Sequence, residues 1–422
     1  MIRRIAKVSL GTHVRELGPG LITGAADDDP SGIATYSQAG AQFGYSMLWT
    51  VVFTLPLMIA IQLVSARIGY LTGRGLAANI RAAFPRWVLL AVVGMLMIAN
   101  TLNISADIAA MAQALRLVFG GSAMIYAITF GLLCLVLQVF LPYRSYVSWL
   151  KWLTLALLAY VAVVFSLHVD WWQIGRELLR FPEVSGHATL LMVVAVFGTT
   201  ISPYLFFWQA GQEMEDESAR SGTPRARNDV RRHLRRIKVD TVVGMTFSNL
   251  IAFFIIVSAA ATLHAAGITD IQTSAQAAEA LRPLAGEFTF IIFSLGIIGT
   301  GMLAVPVLAG SAAYAVAEAA GWKGSLSLRL DLGEGRGFYG IISVATLGGL
   351  LLCFAPMDPV KELVWAAVLN GVIAVPIMAV MMLLARRREL MNNHEISRRL
   401  SILGWFATAA MAVTVLAMLI SF

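Results

Sequence analysis

Charged side chains are scarce in this sequence. They make up 13% of 422 residues, about half the roughly 25% of an ordinary soluble domain. At this length too few polar groups remain to cover a water-facing surface, which excludes a soluble protein. Cysteine is nearly absent as well. Cys134 and Cys353 both stand inside apolar runs, which excludes a disulfide framework and the paired spacing of a structural metal site. Strict alternation of polar and apolar residues is missing, and with it a membrane β-barrel. The basic N-terminal stretch does not lead into an apolar run ending in a cleavage site, so the first apolar span is expected to serve as its own insertion signal. What fills the chain is apolar: 58% of residues, with a mean hydropathy of +0.76. The runs are continuous and reach the ~20 residues that cross a bilayer. The fold class is therefore an all-α polytopic membrane protein.

The runs predict 11 transmembrane helices, near residues 17–43, 46–70, 87–118, 122–141, 146–168, 188–213, 237–263, 287–319, 338–356, 361–385 and 400–421. Basic residues alternate across them. One side holds Arg3, Arg4, Lys7, Arg15 and the connections after the second, fourth, sixth, eighth and tenth spans. Of 31 Lys and Arg, only Arg116, Arg176, Arg180, Arg282 and Lys361 lie opposite. By the positive-inside rule the N-terminus is cytoplasmic and the C-terminus outside, as in a bacterial-type inner (plasma) membrane. The net charge of +7 sits mainly on that one face, so it orients the chain in the lipid bilayer, and no nucleic-acid partner is expected. Residues 215–236, EDESARSGTPRARNDVRRHLRR, read as a solvated charged connector or as a regulatory or lipid-head-group site. Residues 273–282 read as a short amphipathic surface helix, capped by Thr273 or Ser274 and stopped at Pro283.

An ionised side chain at the bilayer centre costs about 2.5 to 3.5 kcal/mol and needs a reason. Asp27, Asp28 and Asp29 stand near the middle of the first span, followed by Pro30, Ser31 and Gly32. Pro30 removes a donor and disfavours helix at Asp29, so the helix breaks there and frees carbonyls beside three carboxylates. Carbonyls plus carboxylates suit a hard cation. Three consecutive acids point in different directions. Asp29 is therefore assigned as the direct ligand, with Asp28 and Asp27 as outer, proton-binding or cavity-lining groups. By contrast, Pro56, Pro306 and Pro376 read as kinks.

The sixth span carries Gly198, Thr199, Thr200, Ser202 and Pro203 at its middle, a second break at the matching place five helices later. Five is odd, so the second set enters inverted, and broken helices at matching positions of inverted halves point to a midplane transport site. The chain divides into a first inverted repeat at 1–168, a second at 169–386 and an accessory eleventh helix at 387–422. In the third span Asn100, Asn103 and Asp107 share one face. They either bond neighbouring helices or line an ion or proton route. Asn249 and Asn370 read as interhelical hydrogen bonds.

The stretch GPGLITGAADDDPSGIATYSQAGAQFGYSMLW resembles the first helix of the Nramp family of divalent-metal transporters, which has a GPG start, a DPGN break and a following QAGAQFGY. GTTISPYLFFWQ in the sixth span is similar to the family's GATxMPHxxYLH, with Gly198, Thr200 and Pro203 in register. ADIAAMAQALRLVFG is similar to AEIAAMATDLAEFLG, with Asp107 at the Glu. The resemblance covers essentially the whole chain. It implies an inverted-repeat fold shared with amino acid and cation symporters, and import of Mn²⁺ or Fe²⁺ with protons. It also implies ligands at the Asp29 carboxylate, the Ala26 and Thr199 carbonyls, and whatever Gly32 and Ser202 can offer.

Departures from the pattern shift that expectation. Gly32 lacks the family's Asn oxygen and Ser202 lacks its thioether, leaving oxygen ligands that suit Mg²⁺, Ca²⁺ and Mn²⁺ over softer metals. The pattern is similar to the Nramp-related magnesium transporters. Ala114, Leu117 and Tyr204 replace the acids and histidine associated with the family's proton route, leaving Asp27, Asp28 and Asp107 as candidate proton carriers. The reading is a divalent-cation transporter working by alternating access. Mg²⁺ or Mn²⁺ is the substrate and protons are a candidate co-substrate; no enzymatic activity and no resident cofactor are expected. Its rivals are a proton-coupled Mn²⁺/Fe²⁺ symporter, an amino-acid symporter of the same fold, whose carboxylate substrate three aspartates would repel, and an intramembrane aspartyl protease, which needs its two Asp on neighbouring helices.

Overall fold

The computed structural model describes residues 18–141, 154–167, 169–180, 186–218, 227–322, 324–326, 335–355, 358–391, 394 and 396–421. Among them every long apolar run is helical and no strand occurs. In hydrocarbon each backbone donor and acceptor must find its partner within its own segment. The helices are α1 (Pro19–Asp27), α2 (Pro30–Phe43), α3 (Leu48–Thr72), α4 (Leu76–Ala83), α5 (Arg86–Phe119), α6 (Ala123–Phe140), α7 (Leu158–Ser166), α8 (Trp171–Leu179), α9 (His187–Thr200) and α10 (Pro203–Ser218). They continue with α11 (Arg227–Ala259), α12 (Thr289–Ala320), α13 (Arg336–Leu352), α14 (Pro359–Ala385) and α15 (Arg398–Ile420).

Eight helical segments are long and apolar enough to cross a membrane among the described residues, or nine if Leu155–Ser166 and Trp171–Leu179, bent by 116°, form one span. The expected count of 11 is not reached among the described residues, for three reasons. Pro30–Thr72 runs as one 43-residue helical segment through the tight turn Gly44–Met47, where the sequence separates two spans. Helix α13 has 17 residues and is short for a span. The start of the fifth predicted span, 146–153, lies outside the described residues, as do Arg144 and Lys151.

Both expected breaks are present. Helix α1 ends as Asp28 leaves helical geometry (φ −83°, ψ 50°), Asp29 is extended (φ −71°, ψ 170°), and α2 opens on Pro30. A residue before proline avoids the helical region, and proline in the first turn needs no donor. Helix α9 ends at Ile201 (φ −117°, ψ 63°) and α10 opens on Pro203. Pro56, Pro306 and Pro376 sit inside continuous helices.

The charged 215–236 connector is mostly helix, shared between α10 and α11, and only 219–226 fall outside the described residues. Arg236 bridges Glu213 (3.5 Å) and Asp216 (3.3 Å), and Glu213 is fully buried. These ion pairs let the helices extend where a solvated loop is expected. Nor does Pro283 stop the surface helix. Thr273 caps Ser274–Ala278 through a reciprocal pair with Gln276, and the chain stays helical to Ala285 because Pro283 falls in a first turn, Arg282–Ala285.

Glycines let backbones meet around the breaks. A Cβ on Gly24 would strike the Gly244 carbonyl, one on Gly40 the Ile256 carbonyl, one on Gly69 the Ala210 carbonyl, and one on Gly198 the Ala367 carbonyl. Asp240 of α11 accepts from the Gly20 N–H at 2.8 Å and holds the first turn of α1 in place.

Candidate functional site

Asp29 is 1% exposed and caps α2. Its Oδ1 accepts from the Ser31 hydroxyl and the Gly32 N–H, both at 2.7 Å. Its Oδ2 faces α10, where the Tyr204 hydroxyl lies 3.3 Å away and 3.1 Å from the Ala26 carbonyl freed at the end of α1. The two breaks therefore meet: α1 and α2 supply a carboxylate and a carbonyl, and α10 supplies the hydroxyl between them. Gly32 contributes its N–H to Asp29 rather than an oxygen to the centre. A Cβ there would lie 3.1 Å from Thr199 Oγ1 and 3.4 Å from the Asp27 carbonyl, so glycine lets α9 approach.

Ser202 donates back to its own break, to the carbonyls of Thr199 (2.7 Å) and Gly198 (2.9 Å). The Thr199 carbonyl thus already carries one hydrogen bond, and the second lone pair of its oxygen is what it can offer an ion. On the neighbouring face, Tyr36 and Thr200 share a hydrogen bond at 2.9 Å that ties α2 to α9.

Asp27 and Asp28 turn to the seventh predicted span. The Ser248 hydroxyl sits 2.6 Å from Asp27 Oδ2 and 3.1 Å from Asp28 Oδ1, and Asp27 Oδ1 has no partner. A hydroxyl has one hydrogen, so the two carboxyls share a single donor. Every hydrogen bond that the described residues give to the three acids comes from a neutral donor, and none comes from a basic side chain.

The polar stripe of α5 splits. Asn100 bonds the Leu308 carbonyl (2.8 Å) and Ser311 (2.7 Å) of α12, and Asn103 exchanges hydrogen bonds with Asn370 of α14 at 3.0 and 3.1 Å. Both are helix-to-helix ties. Asn249 likewise bonds the Val51 carbonyl at 2.9 Å. Asp107 differs: it is 0% exposed and neither carboxyl oxygen has a hydrogen-bond partner. Near it on α5, Ser105 donates to Glu362 of α14 at 2.7 Å.

No group of three or more His, Cys, Asp or Glu in metal-holding geometry occurs among the described residues. What the breaks bring together is the Asp29 carboxylate, the Ala26 carbonyl and the Tyr204 hydroxyl, oxygen groups of the kind a hard cation prefers. Sequence reasoning missed Ser248, Asp240 and Glu362. Each acts across more than 200 positions, or from a lone polar residue in an apolar helix, and neither leaves a local signal.

Two interrupted helices meeting at a buried carboxylate, inside a bundle of long apolar helices, define an all-helical polytopic membrane protein. The chain belongs to the Nramp, natural resistance-associated macrophage protein-like, family, whose profile matches residues 20–421. It is 29% identical over 295 residues to the divalent metal cation transporter MntH of Verminephrobacter eiseniae, a match covering 68% of this chain and 64% of that relative. It is 29% identical over 296 residues to MntH of Erwinia tasmaniensis, covering 68% of each. The fold is similar to a solved structure of the Eremococcus coleocola manganese transporter, at a TM-score of 0.78, 16% identity and coverage of 99% of this chain and 88% of that one. It is also similar to a nucleobase-cation-symport-1 family transporter in a closed conformation, at a TM-score of 0.60, 15% identity, covering 96% and 90%.

Proposed function

We propose that this protein carries a divalent metal cation across the membrane by alternating access, with Mg²⁺ or Mn²⁺ as substrate. The observation that carries the reading is the pairing of the Asp29 carboxylate with the Ala26 carbonyl under one hydroxyl, Tyr204, where two broken helices meet. The ion takes Asp29 Oδ2, the Ala26 carbonyl and the Thr199 carbonyl. Ser202 steadies Thr199, while Asp27 and Asp28 supply negative potential from the Ser248 side. Oxygen-only ligation favours Mg²⁺ and Mn²⁺ over Cd²⁺. The names borne by the relatives, divalent metal cation and manganese transporter, agree with a metal substrate.

In this reading the chain crosses 11 times with a cytoplasmic N-terminus, in inverted halves at 1–168 and 169–386 with 387–422 accessory. Two seams support the inverted relation: Gly40 of the first span against α11, and Gly69 of α3 against Ala210 of the sixth span, couple each broken helix to the second helix of the other half. Metal flux proceeds without obligatory proton co-transport, since Ala114, Leu117 and Tyr204 offer no group that exchanges protons near neutral pH.

The test is uptake by proteoliposomes of Mg²⁺, Ca²⁺, Mn²⁺ and Cd²⁺ in parallel. Saturable Mg²⁺ or Mn²⁺ uptake is expected. Uptake of none of the four by folded protein overturns the proposal, and a preference for Cd²⁺ overturns the choice of ion.

A further inference from the structure

A cavity of about 620 Å³ lies at the ends of the helices opposite the arginine-rich face, and none of its lining residues belongs to the ion site. Its walls are the turn after Phe43, the amphipathic helix α8 and the last turn of the seventh predicted span. That last turn, Ala260–His264, is π-helical, a geometry often found at functional sites. It sets the His264 Nδ1 2.8 Å from the Ala41 carbonyl. A carbonyl only accepts, so Nδ1 carries the hydrogen and Nε2 of the neutral ring is an acceptor. Gly44, at φ +58°, gives the ring its space, since a Cβ there would lie 3.3 Å from Nε2.

Helix α8 presents Gln173, Glu177 and Arg180, spaced four and three apart, to the cavity. Trp171, Trp172 and Leu179 of the same stretch are exposed, and Phe165 pairs with Trp171 at a ring distance of 5.7 Å. Exposed tryptophans beside an amphipathic helix mark the level of the lipid head groups. The cavity therefore opens where phospholipid heads lie. Its charges are of both signs. Arg180 and Glu177 approach each other only to 3.7 Å, with side chains 72% and 21% exposed, a weak pairing that a ligand can replace.

We propose that this cavity binds the head group of a phospholipid with a primary ammonium, phosphatidylethanolamine, from the outer leaflet. The Arg180 guanidinium takes the phosphate. The Glu177 carboxylate and the His264 Nε2 accept from the ammonium, with Tyr45 at the rim. A trimethylated head group has no N–H to give and a glycerol head group has no cation, so the site discriminates against phosphatidylcholine and phosphatidylglycerol.

The experiment is native mass spectrometry of the full chain after exchange into an equimolar mixture of the three lipids. Wild type is expected to retain phosphatidylethanolamine about tenfold over phosphatidylcholine. Glu177→Gln and Arg180→Gln are each expected to bring that ratio near unity at an unchanged melting temperature, as both side chains sit on a surface helix. His264→Gln is the second line of test and should lower the ratio without affecting phosphatidylglycerol. Equal retention of phosphatidylcholine, or a preference for phosphatidylglycerol, overturns the proposal. Binding of soluble glycerophosphoethanolamine without retention of any lipid overturns the lipid assignment.

Discussion

The Tyr204 hydroxyl stands 3.3 Å from Asp29 Oδ2 and 3.1 Å from the Ala26 carbonyl, so a single phenolic hydrogen serves both oxygens that the proposed ion would take. An arriving cation competes with it for those oxygens. Tyr204→Phe removes this competitor and is expected to tighten Mn²⁺ binding about tenfold or more, since a hydrogen bond to a charged group is worth about 1.5–3 kcal/mol and tenfold is about 1.4. Isothermal titration calorimetry reads it directly. Weaker binding would mean that the hydroxyl supports the ion instead of excluding it.

Asp29 has two separable duties, charge toward the centre and the cap of α2. Asp29→Asn keeps an acceptor for the Gly32 N–H and loses the charge. It is expected to abolish metal uptake with little change in thermal stability, whereas Asp29→Ala should also cost about 1 kcal/mol for the lost cap. Liposome flux and thermal unfolding on both variants check this, and wild-type flux in a folded Asp29→Asn protein would remove the ligand assignment.

Ser202 ties up the Thr199 carbonyl at 2.7 Å. Ser202→Met frees that oxygen and adds a soft sulfur, so Cd²⁺ affinity should rise relative to Mg²⁺ by about tenfold or more. Tight Cd²⁺ binding by the unmodified protein, measured by calorimetry, would defeat the hard-ion argument.

For protons, liposomes loaded with a pH dye and given Mg²⁺ or Mn²⁺ outside at fixed potential should take up metal without matching acidification. Acidification that scales with uptake and vanishes in Asp107→Asn would restore the symporter reading. Asp107 is the group to change because it is buried with both carboxyl oxygens unpaired, an arrangement that stands only where something else compensates it.

The breaks at Asp29-Pro30 and Ser202-Pro203 were legible because proline and glycine act on their own neighbours, and the helices were legible because hydrocarbon permits little else. What Tyr204 does was not. Its sequence position marks it as the residue standing at the family's histidine, and its role depends on Ala26 lying across the site, 178 positions away in sequence. Asp107 shares a face with Asn100 and Asn103, and the partners on α12 and α14 are what separate two structural ties from one unpaired acid. The 215–236 segment misled because its charge reads as solvated loop, whereas Asp216 and Arg236 use that charge to join two helices.

The glycine seams have a mechanical consequence. Gly40 rests on the Ile256 carbonyl and Gly69 on that of Ala210, with no side chains between the backbones to act as teeth. A methyl group added at either glycine would strike the facing backbone and wedge the paired helices apart, α2 from α11 and α3 from α10. In the proposed division at 168/169, each seam joins a helix of one half to a helix of the other, so the halves are held together by direct backbone contact.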